Sequence, residues 1–168
     1  MTQRAVHAAR IAIVALALLG LVLGTGLADP ASAAADPPTR KSVKRHPKRV
    51  TPGLRAVQIA NHLTGIPYRW GGASPQAGFD CSGFVQYVYR KVGIHLPHYA
   101  AGQYGHGRRV SRGSLQAGDL VFFSGLGHVG IYAGSGKFIH APRRGTTVRW
   151  SQLSSHGSYY GATRLFAA

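Results

Sequence analysis

The sequence has no glutamate, and its 168 residues hold four aspartates against 20 lysines and arginines. Two of the four, Asp29 and Asp36, lie in N-terminal segments that have no folded-domain pattern, which leaves Asp80 and Asp119. A paired-carboxylate glycosidase needs two acids that flank the scissile bond, and Asp119 lies in a predicted turn that enters a strand. The shortage of acids therefore argues against carboxylate-based hydrolysis and against metal sites built from oxygen ligands.

Cysteine is almost absent too, because Cys81 is the single one in the chain. It cannot form an internal disulfide. Four apolar residues after it recur at helical spacing, namely Phe84, Val85, Val88 and Val92. Asp80 precedes the first turn and Gly93 follows the last one, so we predict a helix over residues 81–92.

Two interpretations of Cys81 compete at this point. A free cysteine often behaves as a small buried hydrophobic residue. At a helix start, however, the thiolate is stabilised and the pKa of the thiol is expected to fall, which is where a nucleophile would be placed. Position alone does not decide between the two interpretations.

The first residues have the pattern of an export signal. Arg4 and Arg10 precede an apolar run over residues 11–27, and Ala31-Ser32-Ala33 follows. This order predicts a cleaved secretory signal peptide over residues 1–35. The alternative is an uncleaved membrane anchor, but the run is short for a span and contains three glycines. Both interpretations place the remaining chain outside the cytoplasm, in the secreted or cell-wall fraction.

Residues 36–50 are rich in proline, lysine and arginine, and they predict a disordered basic linker. The net charge of +16 indicates affinity for polyanions. For an exported chain, anionic cell-wall polymers are the expected partners, and no motif indicates nucleic acid. A membrane contact is expected only if the signal segment stays uncleaved. Residues 51–168 are enough for one modest core.

Within this domain the predicted helices precede the predicted strands. We predict a helix over residues 54–63, loops over 64–80 and 93–119, and strands over 120–123, 128–133, 137–141, 146–150 and 159–166. The order predicts an α+β fold, with N-terminal helices packed on one side of an antiparallel sheet of about five strands.

The predicted hairpin places two histidines on one face. A three-residue turn over Gly134–Gly136 sets Ala133 opposite Lys137, which makes His128 and His140 diagonal neighbours. A shift of one residue would separate them. Two imidazoles would provide a base for a thiol and a polar group to orient that base.

A zinc site is the alternative use of the histidines. It would combine His95, His98, His128 and His140. Because His95 and His98 flank Leu96-Pro97 and are not borne on a helix, this alternative is disfavoured, and we predict no metal.

Five sequence blocks occur in a characteristic order. They are Pro67-Tyr68-Arg69-Trp70-Gly71-Gly72, Phe79-Asp80-Cys81-Ser82-Gly83-Phe84-Val85, Gly118-Asp119-Leu120-Val121-Phe122-Phe123, His128-Val129-Gly130-Ile131-Tyr132 and Phe138-Ile139-His140-Ala141. Together they resemble the NlpC-type, papain-like cysteine peptidases, bacterial enzymes that cut peptidoglycan stem peptides. The resemblance extends over Leu54 to Arg164.

The resemblance implies a papain-like α+β domain and a role for each matching residue. Cys81 would be the nucleophile, His128 the general base and then acid, and His140 the polar residue that orients His128. Tyr68 would assist at the oxyanion. Asp80 and Ser82 match positions that contact substrate in relatives. The implied reaction cleaves the bond between D-glutamate and a diamino acid through a thioester, without a metal or organic cofactor.

The chain departs from the family pattern at one notable position. Many relatives carry arginine after the Leu-Pro pair, where this chain has His98, and no wall-binding repeat or SH3-like module occurs within the 168 residues. Three other functions stay open: an amidase, a transferase, and a non-catalytic wall-binding or effector module.

Overall fold

The computed structural model describes residues 50–166. The predicted signal peptide and residues 36–49 of the predicted linker lie outside the described residues, so both stay predictions. Within the described range, no helix has the length and apolar character needed to cross a membrane.

Three α-helices, two short 3₁₀ helices and eight strands make up the regular structure of the described residues. The helices are α1 (Pro52–His62), α2 (Cys81–Arg90) and α3 (Ala100–Gly105). The strands are β1 (Ala73–Ser74), β2 (Gly78–Phe79), β3 (Arg108–Val110), β4 (Leu120–Phe123), β5 (His128–Gly134), β6 (Lys137–His140), β7 (Arg149–Gln152) and β8 (Tyr159–Arg164).

Local sequence explains where the two longer helices begin. Thr51 caps α1 by accepting a hydrogen bond from the Leu54 N–H at 3.3 Å, and Pro52 occupies the first turn. Asp80 caps α2 in the same manner, with its Oδ1 2.7 Å from the N–H of Gly83. Both helices occur where they were predicted, with ends that differ by at most two residues.

Six strands form one antiparallel sheet in the order β3-β8-β4-β5-β6-β7. The α+β prediction is confirmed, but the main sheet has six strands instead of about five. The additional strand, β3, lies in a segment predicted as loop, as does α3. A separate pair, β1 and β2, forms within the predicted loop ahead of α2.

Alternation along the central strands creates two apolar faces. Helices α1 and α2 pack against one face through a cluster that includes Leu120, Phe122, Val129, Ile131 and Ile139. The opposite face holds a smaller cluster of Val110, Val121, Phe123, Tyr132, Phe138, Leu153 and Ala162. Strands β5 and β6, which contribute Tyr132 and Phe138 to this second cluster, also carry His128 and His140.

Away from the turn, the register of the β5–β6 hairpin is the one that was predicted, and this part of the hairpin carries the histidines. Ile131 pairs with Ile139 and Tyr132 with Phe138. Next to the turn, a shift in register places Gly134 opposite Lys137, so the predicted pairing of Ala133 with Lys137 is wrong. Strand β7 also begins later than predicted, at Arg149.

Asp119 has a structural role, because it links the end of strand β8 to the turn before β4. Its two carboxylate oxygens each accept a hydrogen bond from the Arg164 guanidinium at 2.7 Å, and Oδ2 also accepts the Gln116 N–H at 2.7 Å. Arg164 donates a further bond to the Ser114 carbonyl. The end of β8 is thereby fixed to the turn that precedes β4.

Candidate active site

Cys81 is the first residue of α2 and is half-buried. Its thiol lies beside the backbone N–H groups of Val129, Ser82 and Cys81 itself, each of which favours the thiolate. Val129 follows His128 in the chain. The packing of α2 on the sheet therefore brings the thiol to the start of β5, among several backbone donors.

Burial nevertheless raises the pKa of the Cys81 thiol above its ordinary value, and the charge of Asp80 adds to this effect. The three N–H groups lower the pKa without reversing the balance. The prediction that the helix start would lower this pKa is therefore wrong, because loss of solvent and a neighbouring anion outweigh the backbone dipoles. The thiol is protonated at neutral pH.

Asp80 is a hydrogen-bond centre beside the thiol. Its carboxylate accepts the N–H of Gly71 at 2.9 Å and the Ser82 hydroxyl at 3.1 Å, in addition to the N–H of Gly83. Nε2 of His98 lies 3.0 and 3.1 Å from its two oxygens. Asp80 and Ser82 are both buried, and this network ties the start of α2 to the preceding loop.

His128 and His140 are in direct contact. Nε2 of His128 lies 2.7 Å from Nδ1 of His140, and Nε2 of His140 lies 2.9 Å from Oγ of Ser151. The chain of contacts crosses β5, β6 and β7. If His140 donates to Ser151 and His128 donates to His140, the lone pair of His128 lies on Nδ1, which has no hydrogen-bond partner within residues 50–166.

Burial keeps both imidazoles neutral. It lowers the pKa of His128 to about 4, with a smaller contribution from His156. It lowers the pKa of His140 to about 3, assisted by His128, His156 and Arg149. The site at neutral pH therefore combines a neutral thiol with a neutral imidazole, not a thiolate–imidazolium pair.

The structure does not join the thiol to the base directly. Among the hydrogen bonds of residues 50–166, none connects Cys81 to His128. Catalytic hydrogen bonds are often long without substrate and shorten when it binds. Cys81 approaches the start of β5 from the helix side of the sheet, where its thiol lies beside the N–H of Val129.

Tyr68 lies close enough to Cys81 and Asp80 for their charges to act on it. Burial raises the pKa of its hydroxyl, Cys81 and Asp80 raise it further, and Arg144 lowers it. A cavity of about 200 Å³ opens beside the thiol, between the aromatic residues Trp70 and Tyr99. These two side chains are 75% and 61% exposed, so the cleft is flanked by accessible aromatic surface.

Three residues of the site were missed by sequence analysis as contributors: His98, Gln103 and Ser151. Gln103 is fully buried and donates to the carbonyls of Ser82 and Pro97, both at 2.8 Å. Only His98 gave a signal, through its place after the Leu-Pro pair. The others lie in segments without a regular apolar repeat, so the sequence does not indicate which way their side chains point.

The four-histidine zinc cluster does not form. His95 is exposed and His98 bonds to Asp80. Within residues 50–166, the histidines whose ring nitrogens converge are His128, His140 and His156.

The fold and the site define a small α+β domain in which a thiol at a helix start lies beside an antiparallel-sheet strand that carries one of two contacting histidines. Residues 65–165 match the NlpC/P60 family, and the chain belongs to that family.

Relatives of this chain include a glutamyl hydrolase and a murein endopeptidase. The chain is 46% identical over 99 residues to the gamma-DL-glutamyl hydrolase of Bacillus subtilis (strain 168), which covers 55% of this chain and 24% of that protein. It is 46% identical over 113 residues to the murein DD-endopeptidase MepH of Escherichia coli (strain K12), which covers 60% of this chain and 41% of that protein. The matched segment is thus less than half of either relative.

A solved structure supports the same assignment. The peptidoglycan hydrolase RipB of Mycobacterium tuberculosis superposes with a TM-score of 0.65 at 29% identity, covering 74% of this chain and 70% of that one. The α+β architecture described above is therefore shared with a peptidoglycan hydrolase.

Proposed function

We propose that the chain is a secreted cysteine endopeptidase that cleaves peptidoglycan stem peptides. The observation that carries the proposal is the arrangement around Cys81: its thiol lies among backbone N–H groups, beside the strand that begins with His128. The His140–Ser151 contacts orient that imidazole. The murein-directed activity named for MepH and the peptidoglycan hydrolase RipB support the substrate class.

The protonation states favour a general-base mechanism. Nδ1 of His128 takes the thiol proton as Cys81 Sγ attacks the amide carbonyl carbon, and the C=O electron pair moves onto oxygen. Backbone N–H groups at the start of α2, with the Tyr68 hydroxyl, stabilise that oxyanion. His128 then protonates the leaving amine as the C–N bond breaks. Water deprotonated by His128 hydrolyses the resulting thioester and releases Cys81.

The γ-D-glutamyl–diamino acid bond is the proposed target. Its support is the likeness to a gamma-DL-glutamyl hydrolase. MepH, which has the same 46% identity to this chain, is named for a different bond. The cleavage products must therefore be analysed to show which amide bond the enzyme cuts. Asp80 and Ser82 line the cleft and are the proposed contacts to the stem peptide. The basic linker is the proposed contact to anionic wall polymers.

The first prediction is that Cys81→Ala abolishes cleavage of purified muropeptides, a loss of at least about 1000-fold in kcat/KM, because the nucleophile is removed. Mass spectrometry of the digest gives the measurement, and an unchanged thermal midpoint gives the folding control. His62→Gln is the matched control, because His62 is exposed at the end of α1.

The products separate the competing activities. A new diamino-acid N-terminus supports the endopeptidase, whereas a freed lactyl group identifies an amidase. Transfer of the acyl group to an added amine identifies a transferase, and unchanged wild-type digests identify a binding module. Fragment release by Cys81→Ala at the wild-type rate would overturn the nucleophile assignment.

A further inference from the structure

A third imidazole joins the histidine pair from a loop that the proposed mechanism does not use. His156 lies between β7 and β8, and one ring nitrogen from each of His128, His140 and His156 lies within 4.8 Å of the other two. The His156 ring centroid is 5.2 Å from that of His140, with the planes at 90°. Within residues 50–166, neither ring nitrogen of His156 has a hydrogen-bond partner.

Aromatic packing holds His156 in this position. Its ring centroid lies 4.4 Å from that of Phe123 and 5.2 Å from that of Phe138, both in edge-to-face geometry. The outer side of His156 lines an open cavity of about 670 Å³, which Ser151 and Arg149 also line. A small solute can therefore reach His156 from solvent without passing the Cys81 cleft.

We propose that His128, His140 and His156 bind one divalent transition-metal ion, with zinc as the preferred ion, and that the bound ion reversibly inhibits the enzyme. The inhibition rests on the proposed function of His128, whereas the binding does not. Imidazole nitrogens suit zinc, copper and nickel, and three of them with one water complete a tetrahedral zinc shell.

The contacts of the pair are compatible with this ligand set after a small adjustment. Two nitrogens of a tetrahedral zinc site lie about 3.3 Å apart, whereas Nε2 of His128 and Nδ1 of His140 are 2.7 Å apart. The rings must separate by about 0.6 Å as the metal replaces their hydrogen bond. Oγ of Ser151 lies 2.9 Å from the far nitrogen of His140, and a bond donated by that nitrogen is the outer-shell contact that fixes a ligating tautomer.

Metal binding would remove the base by moving one proton. In the tautomer in which His140 donates to Ser151, His128 carries its proton on Nε2 and its lone pair on Nδ1. When the Nε2 lone pair binds the ion, the ring proton leaves Nε2 and occupies Nδ1, so the imidazole stays neutral. Nδ1 then has no lone pair with which to accept the thiol proton of Cys81, and attack on the amide stops.

Nearby cations keep the binding weak. Arg149 and Lys137 line the same cavity and are exposed. Their repulsion of a divalent ion is screened by salt. We therefore expect a reversible inhibitory site, unlike a structural zinc site, with affinity that rises with ionic strength.

Binding is tested without activity, using the untagged Cys81→Ala chain and Co²⁺ as a spectroscopic probe. We expect one equivalent of Co²⁺ to produce visible absorption of a tetrahedral ion, and calorimetry with Zn²⁺ to give one site. His156→Gln in the same background should weaken Zn²⁺ binding by at least about tenfold. His62→Gln, which alters an exposed imidazole outside the cluster, should leave it unchanged. Equal binding by the His156→Gln and His62→Gln chains would overturn the site.

Inhibition is tested with Cys81 present. We expect micromolar Zn²⁺ to inhibit muropeptide cleavage, chelator to restore it, and His156→Gln to keep basal activity while needing at least about tenfold more Zn²⁺ for half-inhibition. Co²⁺ bound to the wild type should show no thiolate-to-metal charge-transfer band. Equal inhibition of both proteins, with such a band, would show that the ion binds Cys81 instead. Activation by Zn²⁺ would overturn the inhibitory role, and loss of all cleavage on chelation would overturn the cysteine mechanism too.

Discussion

At the residue scale, His128 and His140 carry neutral imidazoles at neutral pH because burial lowers their pKa values, to about 4 and about 3. An unfolded histidine titrates near pH 6.5. Between these values the unfolded chain binds more protons than the folded one. The free energy of unfolding is therefore highest above about pH 6.5 and falls as the pH drops toward 4.

We predict that this loss amounts to as much as about 1.4 kcal/mol for each pH unit and each histidine. Urea unfolding at a series of pH values between 7 and 4 measures it. His140→Asn removes one of the two groups and should give a shallower dependence. A slope equal to that of the wild type would show that His140 titrates normally in the folded protein.

The residues that sequence analysis identified are those whose chemistry depends on a neighbour in the chain or on strand alternation. Cys81 follows a capping aspartate, and His128 and His140 share a face through the period of two. Their contact could thus be predicted from a hairpin register. The raised pKa of Cys81 could not, because it depends on burial and on the charge of Asp80, which only the folded packing sets.

At the scale of elements, the start of α2 is packed tightly against the loop before it. The N–H of Asp80 donates to the Gly72 carbonyl at 3.0 Å. A Cβ at Gly83 would collide with that same carbonyl oxygen and lie 2.7 Å from Nε2 of His98. Glycine is therefore required two residues after the thiol by close approach, not by its backbone angles.

We predict that Gly83→Ala destabilises the protein by about 1–3 kcal/mol and lowers activity, because the collision displaces the loop that carries Tyr68 and Trp70. Thermal unfolding and the cleavage assay measure the two effects. Gly105→Ala is the matched control, since a Cβ there meets nothing within 4 Å at the end of α3. Equal behaviour of the two variants would contradict the packing explanation.

Helices and strands with a clear pattern of apolar residues could be predicted from the sequence. Elements that form only because they pair or pack with another part of the chain could not. Strand β4 occurs at its predicted bounds because four consecutive apolar residues are buried there. Strand β3 consists of Arg108, Arg109 and Val110, with both arginines exposed, and exists through its pairing with β8. Helix α3 has six residues without an apolar stripe, so packing alone reveals it.

At the scale of the whole molecule, a buried ion pair joins distant parts of the chain. It connects Asp119 and Arg164, which are 45 positions apart in the sequence. Both side chains are nearly inaccessible, at 2% and 8% exposure. Removing one partner of such a pair leaves a buried charge without compensation, which is costly.

We predict that Asp119→Ala destabilises the domain by about 3–5 kcal/mol, measured by denaturant unfolding. Arg55→Ala, which removes an exposed charge from α1, should change the free energy of unfolding by less than about 0.5 kcal/mol. Asp119→Leu combined with Arg164→Met should recover part of the loss, since an apolar pair leaves no isolated charge. An effect of Asp119→Ala no larger than that of Arg55→Ala would contradict this role.

The contacts that orient His128 end on Ser151, and Ser151 belongs to β7, one of the two edge strands of the sheet. Strands at an edge open more readily than central ones, in local events that leave the core intact. Brief detachment of β7 would release His140 and then His128 while β4, β5 and β8 stay paired. We therefore expect the competence of the site to follow the local opening equilibrium of one four-residue strand more closely than the global stability of the domain.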